Sequence, residues 1–191
     1  MIREIVLFGD PVLREKGARI DEVTDNIRAL AEDMVETMED AEGVGLAAQQ
    51  VGLPLQLAVV DVSEATDAAT FVKVNGEETE LTKIMPLIFI NPVIHGGPEQ
   101  ISDTEGCLSF PEIRAEIKRP GTIRATLSTL EGETLELETD GLFARAIQHE
   151  TDHLNGILFI DRMSTAKRMS LKKSLKALKR ESEANLRKRK S

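Results

Sequence analysis

Hydrophobic positions change their period several times along the chain, and each change marks an element. From Thr24 the apolar residues recur as Ile27, Leu30, Ala31, Met34 and Met38. That is the one-sided stripe of an amphipathic helix, with Thr24 placed to cap it and Gly43 to stop it. Residues 5–8 read as a short strand closed by Gly9-Asp10-Pro11, and residues 57–62 as a buried strand broken only by Asp61. Residues 87–90 form another, ended by Asn91-Pro92. Residues 123–130 and 133–139 are expected to fold back around Glu131-Gly132, with Leu135 and Leu137 alternating against acids. Asp140 then caps a helix running to about Asn155, with Gly156 at its end.

Between these elements, residues 63–85 are polar and look inserted. Within them Asn75-Gly76 separates two short extended arms, a strong hairpin signal. Near the end, Leu171, Leu175 and Leu178 repeat at helical spacing, predicting one amphipathic helix over residues 164–186. The pattern as a whole predicts an α+β fold: short antiparallel sheets around a central helix, with a C-terminal helix. Residues 1–165 would form the body and 166–191 a separate basic tail.

Composition narrows the class. The 191 residues and 41% hydrophobic content suffice for one domain with its own core. A single cysteine excludes an intrachain disulfide and fits a reducing compartment. No run approaches the ~20 apolar residues of a membrane span, and the apolar start is too short for a signal peptide. A cytoplasmic protein with no membrane contact is expected. Net charge is −9, unevenly spread. From Lys167 onward there are eleven basic and two acidic residues, leaving thirteen basic and thirty-one acidic ones elsewhere. An acidic body with a basic tail suits a tail that seeks polyanions, or a solvated amphipathic helix.

The central helix carries the densest chemistry. Residues 148–154 read Gln-His-Glu-Thr-Asp-His-Leu. His149 and His153 are four apart, so both imidazoles share one helix face and can reach one metal ion. Glu150 can then carry a proton for a water at that ion. A catalytic metal usually has three protein ligands. One class of metalloprotease places a third histidine after the motif glycine, but that position here is Phe159. Cys107, in Glu105-Gly106-Cys107-Leu108-Ser109, is the obvious third donor. His95 could compete, but it has no partner at helical spacing and reads better as a surface residue. Residues 43–52, Gly-Val-Gly-Leu-Ala-Ala-Gln-Gln-Val-Gly, lack the Lys-Ser/Thr ending of a phosphate loop. The amide of Gln49 or Gln50 could donate to a developing oxyanion.

These three segments, in this order, resemble the signature motifs of peptide deformylases. Residues 43–50 match the first, 105–109 the second and 148–154 the third, and Asp10-Pro11-Val12-Leu13-Arg14 is also typical. The resemblance implies an enzyme that removes the formyl group from N-formylmethionyl nascent peptides and releases formate. It implies Cys107, His149 and His153 as metal ligands, with Fe2+ the usual ion and Zn2+, Ni2+ or Co2+ as substitutes. Glu150 would be the general base and acid. Gln50, rather than Gln49, and the backbone N–H of Leu108 would form the oxyanion hole. The peptide would lie extended beside Val44-Gly45 and the segment after Cys107, with Gly106 among its contacts and its methionine side chain against Val44, Leu142, Ala146 and the His149 face. Arg114 would face downstream residues, and Glu105 with Arg119 would position the cysteine loop. The basic tail resembles the C-terminal helix by which bacterial-type members dock near the ribosomal exit tunnel. A metallopeptidase using the same helix motif is the main rival, and the residue at 159 speaks against it.

Overall fold

The computed structural model describes residues 1–190, with side chains described through Arg187. In chain order the elements are α1 (Asp25–Asp40), β1 (Gly45–Ala47), β2 (Leu57–Val60), β3 (Val72–Val74), β4 (Glu77–Glu78), β5 (Leu87–Gly96), β6 (Gln100–Glu105), β7 (Ala115–Pro120), β8 (Thr122–Ser128), β9 (Thr134–Asp140), α2 (Gly141–Leu154), α3 (Thr165–Ser170) and α4 (Lys172–Lys190). Seven strands make one sheet in the order β1-β2-β5-β8-β9-β3-β4, and β6 pairs with β7 in a separate ribbon. Every strand pairing is antiparallel. The α+β fold expected from the pattern is the fold observed.

Alternation along β2 explains why its sequence is apolar throughout. Leu57 and Val59 face α1, packing with Leu30, Met34 and Met38. Ala58 and Val60 face α2, packing with Phe143, Ala144 and Ile147. A strand covered by a helix on each side has no polar face. A third cluster gathers Leu13, Phe110, Ile113, Leu158 and Phe159 beneath the cysteine loop and receives Leu175 of α4.

Several boundaries differ from the sequence expectation, each for a physical reason. Residues 5–8 form no ladder. They run extended between two loops, with Val6 N–H donating to Gln50 O and Phe8 N–H to Ser109 O. α1 begins under Thr24, whose hydroxyl accepts from Ile27 N, but ends at Asp40. Glu42, not Gly43, takes the positive φ at its exit. β5 does not stop at Asn91-Pro92; the register shifts there and the strand continues to Gly96. Asn91 adopts a positive φ, and its amide exchanges two hydrogen bonds with the backbone of Ile20. The Asn-Pro pair thus marks a bulge, where a missing ladder donor is tolerated. The Asn75-Gly76 turn forms as expected, both residues having positive φ.

The terminal helix is two helices with a break at Leu171. Leu171, Leu175 and Leu178 face the third cluster, and Ser182 is buried with its hydroxyl donating to Leu7 O. Burying one such leucine contributes about 1.5–3 kcal/mol, enough to hold the helix on the body. Lys188, Arg189 and Lys190 of the terminal basic cluster lie outside the described side chains.

Candidate active site

Helix α2 is the spine of the site. His149 and His153 sit one turn apart, edge to face with ring centroids 5.0 Å apart, and Leu142 and Ala146 continue the same face toward the N-terminus. The helix is held at its far end through Leu154 O, which accepts from Gln56 Nε2 at 2.7 Å, Gln49 Nε2 at 3.3 Å and Gly17 N at 2.9 Å. Gln49 is thereby spent on structure, which separates it from Gln50.

Opposite the histidines lies the cysteine loop, pinned by Phe110 N–H to Cys107 O and by Phe8 to Ser109. The Cys107 sulfur sits 3.3 Å from His153 Nε2. The donor atoms of Cys107, His149 and His153 all lie within 4.8 Å of one another. A tetrahedral ion with bonds of about 2.0–2.3 Å needs ligand separations of roughly 3.3–3.8 Å, so this set converges closely enough to hold one. Burial disfavours a charged His149, yet hydrogen bonds to Cys107 and Glu105 outweigh it and lift the ring well above the usual histidine range. Burial holds His153 well below the usual histidine range, so its ring is neutral near neutral pH.

A web of buried charge fixes His149 and the cysteine loop. Glu105 accepts from His149 Nδ1 at 3.0 Å, leaving the other ring nitrogen for the cleft. Burial opposes the Glu105 carboxylate, but His149 and Arg119 outweigh it and keep it ionised, well below the ordinary carboxylate range. Arg119 grips Glu105 with Nε and Nη2 and reaches Asp152 with Nη1. Arg145 also donates to Glu105, and Arg162 clasps Asp152 from the surface. The sequence reading anticipated Glu105 and Arg119 but missed Arg145, Asp152 and Arg162. Their one signal was position: Arg145 and Asp152 flank His149 at i−4 and i+3, where a charge on a catalytic helix can face inward.

Gln50 is buried, and its orientation is set by neighbours. Oε1 accepts from Ala47 N at 2.9 Å, which turns Nε2 toward the cysteine loop, 3.3 Å from Ser109 Oγ and 3.6 Å from Cys107 Sγ. The Leu108 N–H donates to no other atom among the described residues. Glu150 is buried with Oε2 unpartnered, and burial pushes its carboxyl up to about 7. A Cβ on Gly45 would fall 2.4 Å from Glu150 Oε1, so glycine is what admits the carboxylate beside β1.

These groups open into a cleft of about 610 Å3. Val44, Gly45 and Gln50 line one side, and Gly106, Cys107, Leu108 and Arg114 the other. Leu142, Ala146, His149 and Glu150 form its floor, with His153 beneath, against the sulfur. Phe159 packs on Phe110 in the third cluster, under the histidines. His95 is exposed on β5 opposite Arg124, away from the site.

Two helical imidazoles and a loop thiol able to hold a metal ion, a buried carboxyl and an open cleft are the parts a metal-dependent hydrolase needs. Comparison with known proteins narrows this. The family model described as Polypeptide deformylase matches residues 2–169. The chain is 42% identical over 180 residues to the peptide deformylase of Methylacidiphilum infernorum, covering 94% of each chain. It is 46% identical over 178 residues to that of Novosphingobium aromaticivorans, covering 90% of this chain and 95% of the relative. The crystal structure of peptide deformylase from Thermus thermophilus superposes with a TM-score of 0.78 at 36% identity, covering 95% of this chain and 99% of the other. The chain belongs to the polypeptide deformylase family, metal-dependent hydrolases that remove the N-terminal formyl group from newly made peptides. No helix among the described residues is long and apolar enough to cross a membrane.

Proposed function

We propose that Cys107, His149 and His153 hold one divalent ion, Fe2+ in the native enzyme, and that Glu150, Gln50 and Leu108 deformylate N-formylmethionyl peptides beside it. The observation that carries this reading is the convergence of one thiol and two imidazoles at the floor of an open cleft. The same donor set accepts Zn2+, Ni2+ or Co2+. When bound, such an ion supplies an activated water at neutral pH and polarises the formyl carbonyl.

The chain's own residues do the rest. Glu150 accepts a proton from the attacking water and delivers it to the leaving amine, so that formate and a free amino terminus result. Gln50 Nε2 and the Leu108 N–H donate to the formyl oxygen as it gains charge; one such donor is worth about 10²–10³ in rate. The outer edge of β1 ends the sheet, so a peptide can add beside Val44 and Gly45 as a further strand, with Gly106 opposite. Val44, Leu142 and Ala146 receive the methionine side chain, and Arg114 faces the residues downstream. Anaerobically purified protein should contain one metal per chain and release formate from formyl-Met-Ala-Ser. Cleavage of an unblocked internal peptide bond instead would favour the metallopeptidase reading.

The tail extends this reading to the ribosome, in the cytoplasm. Lys172, Lys173, Lys176, Lys179 and Arg180 are exposed, while Leu171, Leu175 and Leu178 turn inward. A basic stripe on a docked helix suits ribosomal RNA near the peptide exit. Truncating the tail would uncover the third cluster, so charge substitution is the cleaner test. Replacing the four lysines by glutamate should abolish salt-sensitive ribosome binding and leave turnover on a short formyl peptide within about twofold. Unchanged ribosome affinity would leave the stripe a solvated helix face.

A further inference from the structure

The inserted segment ahead of β3 is built into the entrance of the catalytic helix. Asp140 stands at the N-cap of α2, but its carboxylate makes no bond to its own helix. It accepts instead from Thr70 N at 2.7 Å, from the Thr70 hydroxyl, and from Phe71 N at 3.5 Å. The helix N–H that a cap would normally satisfy, that of Phe143, donates across the gap to Ala68 O at 3.0 Å. The two segments therefore exchange capping roles, the reciprocity of a capping box spread over two distant pieces of chain. Thr139 Oγ1 donates to Phe71 O, adding a third link. Gly141 has φ +63°, and a Cβ there would lie 2.7 Å from Ala68 O, so this glycine admits the close approach. Ala68 is buried in the same cluster as Phe143 and Ala146, with Ala65, Ala69 and Leu142 packed around it.

We propose that segment 65–71, latched through Asp140, is a specificity element that sets the position of the Leu142 wall of the cleft. The inference rests on the reading of Leu142 and Ala146 as the methionine pocket. Its logic is that the two ends of α2 have different anchors. The metal end is fixed by Glu105 on His149, by the Cys107–His153 contact, and by Gln49, Gln56 and Gly17 on Leu154 O. The pocket end is fixed by Ala68, Thr70 and Phe71. Leu142 lies between the two latched residues Asp140 and Phe143, and seven residues, about two turns, from His149. Releasing the latch therefore frees the pocket wall and leaves the reacting groups in place. Asp140 is a positioning residue: it contacts no part of the cleft.

The test compares formyl-Met-Ala-Ser with formyl-Ala-Ala-Ser, whose side chain fills little of the pocket. In the unaltered enzyme the ratio of kcat/KM should favour methionine strongly; a ratio near one would overturn the pocket reading itself, and this proposal with it. Given that preference, Asp140→Ala should reduce it by about tenfold, the scale on which an apolar pocket discriminates. The loss should appear in KM for the methionine peptide, with kcat changed less than about twofold. Asp140→Asn, which keeps an acceptor for both amides, should restore most of the preference. Thr70→Val removes the hydroxyl bond alone and should shift the ratio the same way by less, without endangering the fold. Amide exchange should show Phe143 losing protection in Asp140→Ala while residues 149–153 keep theirs. A methionine preference that survives both Asp140→Ala and Thr70→Val, or a fall in kcat and metal content that Asp140→Asn fails to restore, would overturn the latch.

Discussion

Replacing Cys107 by serine should strip the protein of metal and of activity together. Serine is isosteric enough to occupy the half-buried position without disturbing the turn that Phe110 closes on it. It replaces a thiolate with a hydroxyl that stays protonated near neutral pH, so the third donor of the set is lost. Altering a group that merely orients a ligand typically weakens metal binding 10–100-fold, so removal of a ligand should cost at least about a hundredfold. Metal analysis after dialysis against a weak chelator measures this directly, and thermal unfolding of the apo forms separates it from misfolding. Stoichiometric metal with ordinary formate release in Cys107→Ser would end the assignment. The Glu105 web predicts a graded companion result. Arg162→Ala, at the surface end, leaves both bonds from Arg119 to Glu105 in place and should release metal only modestly faster.

The site was legible in the sequence wherever spacing alone carries geometry. His149 and His153 had to share a face once the segment was helical, and Phe159 left room for a thiol from another segment. The same holds for β9, where Leu137 is buried and Leu135 half-buried, with exposed Glu136 between them. What stayed hidden depends on pairing across the chain. The ribbon of β6 and β7 begins in Gln100–Glu105, where only Glu105 is buried, so no period of two announces it. β1 is three residues long and is a strand only because β2 lies beside it. Asp140 was read as a cap from its position, and the position is right. Its carboxylate serves the inserted segment instead, a choice that no local rule encodes. Charged residues on a helix usually face water, which is why Arg145 and Asp152 passed unnoticed. They are buried because each finds an opposite charge already buried there, Glu105 for one and Arg119 for the other.

Glu150→Gln should separate binding from chemistry. The Glu150 carboxyl is buried at the cleft floor, beside His149, with Oε2 bonded to nothing among the described residues. A structural carboxyl at such depth would be expected to hold partners, as Glu105 does with His149, Arg119 and Arg145. An unpartnered one is free to exchange a proton with substrate. The glutamine variant preserves shape and leaves all three proposed ligands untouched, so metal content and peptide affinity should remain near normal. Loss of the proton carrier should lower kcat by about 10²–10⁴. Gly45→Ala approaches the same group from the other side. The added methyl would meet Glu150 Oε1 at 2.4 Å and force the carboxylate away from β1. It should therefore depress kcat at full metal occupancy while leaving Glu150 chemically intact. Parallel loss of metal and turnover in Glu150→Gln would instead make this residue a support for the ligands. A Gly45→Ala enzyme with unchanged kcat would show that the carboxylate need not sit where it does.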